Sequence, residues 1–139
     1  MEKLINTNNK NTLIYPELSY EIIGILYDIH NELGNKYQEK YYQRAIEIEF
    51  IDKKISFKKE LPANLVYKGN KIGKYFLDFL IENKIILEIK TTDSFKVRDF
   101  KQVSAYLKNT NMHLGILANF RTEKLTYKRI LNPDYLYSN

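Results

Sequence analysis

Residues 85–92 read "IILEIKTT". Ile85, Leu87 and Ile89 alternate with Ile86, Glu88 and Lys90, the two-residue period of a strand with one face in a core. Glu88 and Lys90 then share the other face. The preceding run, "IGKYFLDFLIE" over residues 72–82, sets Asp78 among Tyr75, Phe76, Leu77, Phe79, Leu80 and Ile81. A carboxylate in such company is costly to bury without a partner. The two runs are predicted to pair as a hairpin joined around Asn83-Lys84. Two carboxylates and an amine on adjacent strands suit metal-assisted phosphodiester hydrolysis: hard oxygens hold Mg²⁺, and a lysine orients the water or steadies developing charge.

That reading makes a demand on the loop. Opposed residues of an antiparallel pair point to the same face. A two-residue loop at Asn83-Lys84 would oppose Glu82 with Ile85 and Asp78 with Ile89, which sends Asp78 and Glu88 to opposite faces. A three-residue loop, or a bulge between Asp78 and Glu82, restores the match and is the expectation. The competing reading is an ordinary strand with a solvated face.

Working outward, Pro16 and Glu17 suit the first turn of a helix. Leu18, Ile22, Ile25, Leu26, Ile29 and Leu33 follow at helical spacing, and Gly34 is a natural stop. A second helix is predicted over about residues 38–50, with Tyr42, Ala45, Ile46 and Phe50 inward. "KISFKKEL" and "ANLVYKG" read as one strand, or as two broken at Pro62. A third helix over about 96–108 would bury Phe100, Val103 and Leu107, with Ser94 as a candidate N-cap. "LGILANF" and "KLTYKRIL" read as closing strands. The order is that of an α/β fold, a central mixed sheet flanked by helices.

With 139 residues, the chain suits a single domain, predicted over 15–133 between a flexible arm (1–14) and a C-terminal tail (134–139). The absence of cysteine excludes a disulfide framework and thiolate metal sites, and fits a reducing, cytoplasmic setting. No run approaches the roughly 18 consecutive apolar residues of a membrane helix. A net charge of +5 favours a polyanionic partner, with plain lysine usage as the equal alternative.

With Asp78, Glu88 and Lys90 in place, the chain resembles the PD-(D/E)XK nuclease superfamily, and within it the small prokaryotic proteins named for a GxxExxY motif. "ELGNKYQEKYYQRAIEIEF" is similar to that family's first block, with Glu39 and Tyr42 at the motif's acid and tyrosine. "VYKGNKIGKYFLDFLIENKIILEIK" resembles the block carrying Asp and Glu-x-Lys, "QVSAYLK" the helix with Gln102 and Tyr106, and "GILANF" and "YKRI" the closing strands. Two positions depart from the pattern: Lys36 stands at the motif's glycine, and Phe76 where an arginine is frequent.

The resemblance implies a restriction-endonuclease-like core and a nuclease using Mg²⁺ or Mn²⁺ on nucleic acid, DNA before RNA. Asp78 and Glu88 would be the principal metal ligands and Lys90 the catalytic amine. Glu39 would complete the metal shell, and Gln102 would position the nucleophile or contact a phosphate. Around the third helix, Lys96, Arg98, Lys101 and Tyr106 are candidates for nucleic-acid contact, with a solvated basic face as the equal alternative. His30 and His113 have no partners at ligand spacing; His30 reads as a helix-surface or packing residue and His113 as a strand-start residue. Glu47, Glu49 and Glu60 read as ordinary acids. The alternatives are an inactive binding module in which Glu88 and Lys90 merely pair, and an adaptor that forms a homodimer through its apolar first helix.

Overall fold

The computed structural model describes residues 14–136. Helix α1 (Pro16–Leu33) and helix α2 (Glu39–Asp52) precede strands β1 (Phe57–Tyr67), β2 (Asn70–Ile81) and β3 (Ile85–Lys90). Helix α3 (Val97–Thr110) leads to β4 (Leu114–Asn119) and β5 (Thr126–Leu131), and a short turn of helix, α4 (Pro133–Leu136), ends the described chain. The five strands form one sheet in the order β1-β2-β3-β4-β5. All neighbours are antiparallel except β3 and β4, which run parallel across the α3 crossover. The mixed α/β sheet flanked by helices is the restriction-endonuclease-like architecture expected.

Parallel strands covered on both faces lose the wet side of their alternation. Accordingly β4 is buried at all six positions and β3 at all but Lys90. One core cluster joins Ile22, Leu26, Tyr42, Ile46 and Phe50 of α1 and α2 to Ile85, Leu87 and Ile89. The other joins Val103 and Leu107 of α3 to Leu61, Leu77 and Ile86. Glu88 and Lys90, which alternate with the first set, therefore lie on the α3 side of β3.

The helix ends follow local chemistry. Pro16 opens α1, and Gly34 closes it at φ 79°, donating its N–H to the His30 carbonyl at 2.8 Å. Helix α3 starts later than the Ser94 cap expected: Lys96 is its N-cap, and its N–H is accepted by the Asp99 carboxylate at 2.9 Å. Pro62 does not break β1, because β1 is an edge strand where a missing donor is tolerated.

Most of the expected arm and tail, residues 1–13 and 137–139, lies outside the described residues. Ile14 is buried and its carbonyl accepts from Arg129 at 3.2 Å, while Tyr135 of α4 packs on the His113 ring, so the packed unit reaches past 15–133 at both ends. The apolar stripe of α1 lies inside this core, which removes it as the dimer face considered from sequence. His30 is buried and Nε2 bonds the Thr122 carbonyl at 3.0 Å, a packing role. Glu47 and Glu49 pair with Lys59 and Lys53, each at 2.9 Å. No described helix is long and apolar enough to cross a membrane.

Candidate active site

The β2–β3 register places Ile81 opposite Ile85, Leu80 opposite Ile86 and Phe79 opposite Leu87. The loop is therefore three residues, Glu82 to Lys84, and the next positions along, Asp78 and Glu88, face one another. The parity demanded by a shared site is met. The turn centres on Glu82 and Asn83, at φ 53° and 55°, rather than on Asn83 and Lys84. Glu82 is held there by Ser56, whose N–H and hydroxyl reach its carboxylate at 3.1 and 3.0 Å.

At Asp78 the regular ladder gives way to side chains. The Asp78 N–H donates to Glu88 Oε1 at 3.1 Å, and the Ile89 N–H donates to Asp78 Oδ2 at 2.7 Å. Across on β1, Glu60 sits at φ 54°, between the pairs Lys59–Phe79 and Leu61–Leu77. Phe79 packs toward α1 and α2, whereas Leu77, two residues away, packs toward α3. Residues two apart normally share a face, so both strands switch faces at Glu60 and Asp78. Glu60 is thus part of a backbone irregularity and not simply a surface acid.

Other elements converge on this point. Gln43 of α2 donates Nε2 to Asp78 Oδ1 at 2.8 Å, which leaves both Asp78 oxygens occupied. Lys90 Nζ lies 3.6 Å from Glu88 Oε2 and 3.5 Å from Asp99 Oδ1. The backbone after Lys90 is pinned by buried Asn119, which exchanges bonds of 2.7 and 3.2 Å with the Thr92 main chain. Tyr42, the motif tyrosine, gives its hydroxyl to the Gly34 carbonyl at 2.6 Å and accepts the Tyr37 N–H at 3.3 Å. It shapes the turn leading into Glu39 and has a structural part.

Burial and crowding set the charges. Glu88 is pushed up to about 9, by burial first and then by the Asp78 carboxylate. Asp78 is raised by burial, against the bonds from Ile89, Glu88 and Gln43. Because those bonds favour its anion, Glu88 carries the proton of the pair. Glu39 is raised by burial, then by Asp78 and Asp99. Burial opposes the Lys90 charge, yet Glu88, Asp99 and Glu39 together raise it, so the amine stays protonated.

Four carboxyl groups, one of them protonated, thus surround one cation, an imbalance that a divalent ion relieves with hard oxygen donors. Among the described residues no three acids or histidines lie close enough together to enclose an ion. Mg²⁺ commonly takes one or two carboxylates and completes its shell with water, so the Asp78–Glu88 pair fits.

The remaining expected residues lie along α3. The main-chain carbonyl of Gln102 accepts from Tyr75 Oη at 3.1 Å, and no described hydrogen bond joins its side chain to Asp78, Glu88 or Lys90. Tyr106 is half-buried against the α3-side core, and Lys96, Arg98 and Lys101 are exposed. Gln43, Asp99 and Asn119 were not singled out from sequence. Gln43 had a signal, since it lies four residues after Glu39 and on the same helical face.

A mixed five-stranded sheet of this order, flanked by helices, is the architecture of a restriction-endonuclease-like core. The chain matches the PD-(D/E)XK nuclease superfamily over residues 16–130 and belongs to it. No curated protein matches the chain. Among solved structures it is similar to one described as "Crystal structure of SSO0001", at 22% identity and a TM-score of 0.51 over 68% of this chain, a likeness of fold. The chain spans about half of that protein, 50% of its length.

Proposed function

We propose that this chain is a nuclease of the GxxExxY type that hydrolyses phosphodiester bonds with Mg²⁺ or Mn²⁺, acting on DNA in the cytoplasm. The observation that carries the reading is Asp78 opposite Glu88 across a three-residue loop, with Lys90 on the same face. Asp78 and Glu88 would hold the ion. When bound, such an ion supplies Lewis acidity to a phosphate oxygen and lowers the pKa of a water. Gln43 and the Ile89 N–H aim the Asp78 oxygens. Lys90, kept protonated by its acidic neighbours, donates to the attacking water or to a non-bridging oxygen. Glu39 would add a further carboxylate near the ion, and Gln102 would contact the strand on the α3 side.

A second reading, an inactive binding module, draws on the ion pairs that already engage Lys90. Linear, circular and single-stranded DNA and RNA, incubated with Mg²⁺, Mn²⁺ or EDTA, separate the two. The nuclease reading expects metal-dependent cleavage that Asp78→Ala and Lys90→Ala each abolish. Cleavage persisting in both variants, or binding without cleavage in either metal, overturns it.

A further inference from the structure

Only Phe79 to Ile81 of β2 pair with β3, whereas β1 and β2 pair onward to Tyr67–Asn70. Beyond the face switch the hairpin therefore continues as a two-stranded ribbon. Its inner face is tied to α3 by the Tyr75–Gln102 bond. Between ribbon and helix lies a cleft of about 540 Å³, lined by Leu65, Val66 and Tyr75 on one side and Val97, Arg98 and Lys101 on the other.

Two properties of the cleft identify its occupant. First, Leu65, Val66 and Val97 are 49%, 56% and 69% exposed, so large apolar side chains stand in water where no core needs them. Second, ribbon residues 61–77 include Lys68, Lys71 and Lys74 and no acid. Arg98 and Lys101 add to that field from α3, whose Asp99 is buried and turned to Lys90. Apolar walls beside uncompensated cations suit bases whose faces are free and whose phosphates need partners. A duplex keeps its base faces stacked inside and offers none to these walls. A second copy docked through the same face would set the cations against their own kind.

We propose that this cleft binds an unpaired segment of nucleic acid and feeds a single strand, in preference to intact duplex, toward Asp78, Glu88 and Lys90. The inference rests on the nuclease reading for its direction, but the binding it requires is independent of catalysis. The cleft begins beside the candidate site, because Asp99 and Arg98 are adjacent at the start of α3.

The test is fluorescence anisotropy of the full chain in EDTA, with a short labelled DNA strand and its duplex, over a range of salt. The single strand is expected to bind about tenfold more tightly than the duplex. Arg98→Gln with Lys101→Gln should lower the salt slope for the strand by about 1.4. Leu65→Ser with Val66→Ser should weaken strand binding about tenfold with the slope unchanged. Lys128→Gln, on exposed β5 surface, should change neither, and circular dichroism melts establish that each variant folds.

Equal affinity for duplex and strand, or folded cleft variants that bind like the parent, overturns the proposal. So does a dimer, by sedimentation, that the Leu65/Val66 variant dissociates without altering strand affinity. Metal-dependent cleavage with no strand preference would overturn this inference and leave the nuclease reading standing. Strand binding without cleavage in any metal would do the reverse.

Discussion

Replacing Glu88 by Gln should make the metal-free protein more stable, and more so as pH rises. Glu88 titrates at about 9 in the fold against an ordinary 4.5. Between those values the native state holds a proton that the unfolded chain releases. The contribution of Glu88 to stability is therefore greatest below the unfolded value and falls as pH rises through the window toward 9. From 4.5 to about pH 7, at about 1.4 kcal/mol per pH unit, the loss reaches about 3 kcal/mol. Glutamine keeps the shape of the protonated acid and can still donate to Asp78, but it has no proton to release. For a domain of this size the gain corresponds to a rise in Tm of about 10 °C near neutral pH. Thermal melts of both proteins in EDTA, from about pH 4.5 to 8, read the gap directly. It should be near zero at the acid end and widen steadily. A constant gap, or a variant less stable than the parent at neutral pH, would refute the assignment of the proton to Glu88.

Other expectations follow from the same contacts. Mn²⁺ binding near neutral pH should release about one proton, since Glu88 must ionise to act as a ligand; calorimetric heats that do not vary with the buffer's ionisation enthalpy would contradict this. Gln43→Ala frees Asp78 Oδ1 and should weaken metal affinity or cleavage about tenfold or more while the fold persists. Tyr42→Phe removes the hydroxyl that serves the Gly34 carbonyl and the Tyr37 N–H and should cost about 1–2 kcal/mol in a urea titration. Gly115→Ala would put a Cβ 2.5 Å from Val103 Cγ1, so the Val103 side chain or α3 must shift and about 1–3 kcal/mol should be lost.

The parts of the fold legible in the sequence are those where one local rule acts alone. The periodicity of α1, the stop at Gly34 and the apolar runs of β3 and β4 each follow from burial or backbone freedom. The loop length was legible for a different reason: a charge at Asp78 had to meet Glu88, and parity left few ways to arrange it. What stayed hidden depends on contacts distant in sequence. The Gln43–Asp78 bond spans 35 residues, and only the place of Gln43 one helical turn after Glu39 hints at it. Asp99 is a first-turn helix acid that caps the start of α3 with one oxygen, and only the fold brings its other oxygen to Lys90. The face switch leaves no mark in the alternation of β2, because Leu77 and Phe79 are both buried, only in different layers.

The Glu82–Lys84 loop also bears on how chains of this architecture can vary in length. The ribbon turn around Gly69 lies beyond the last pairing with β3, so residues added or removed there leave Asp78 opposite Glu88. A single residue gained or lost between Ile81 and Ile85 would instead turn Glu88 and Lys90 into the α1 side of the core, and Leu87 and Ile89 out of it. The tip of the ribbon is free to diverge between relatives, and the short loop at its other end is held to its length by the chemistry beside it.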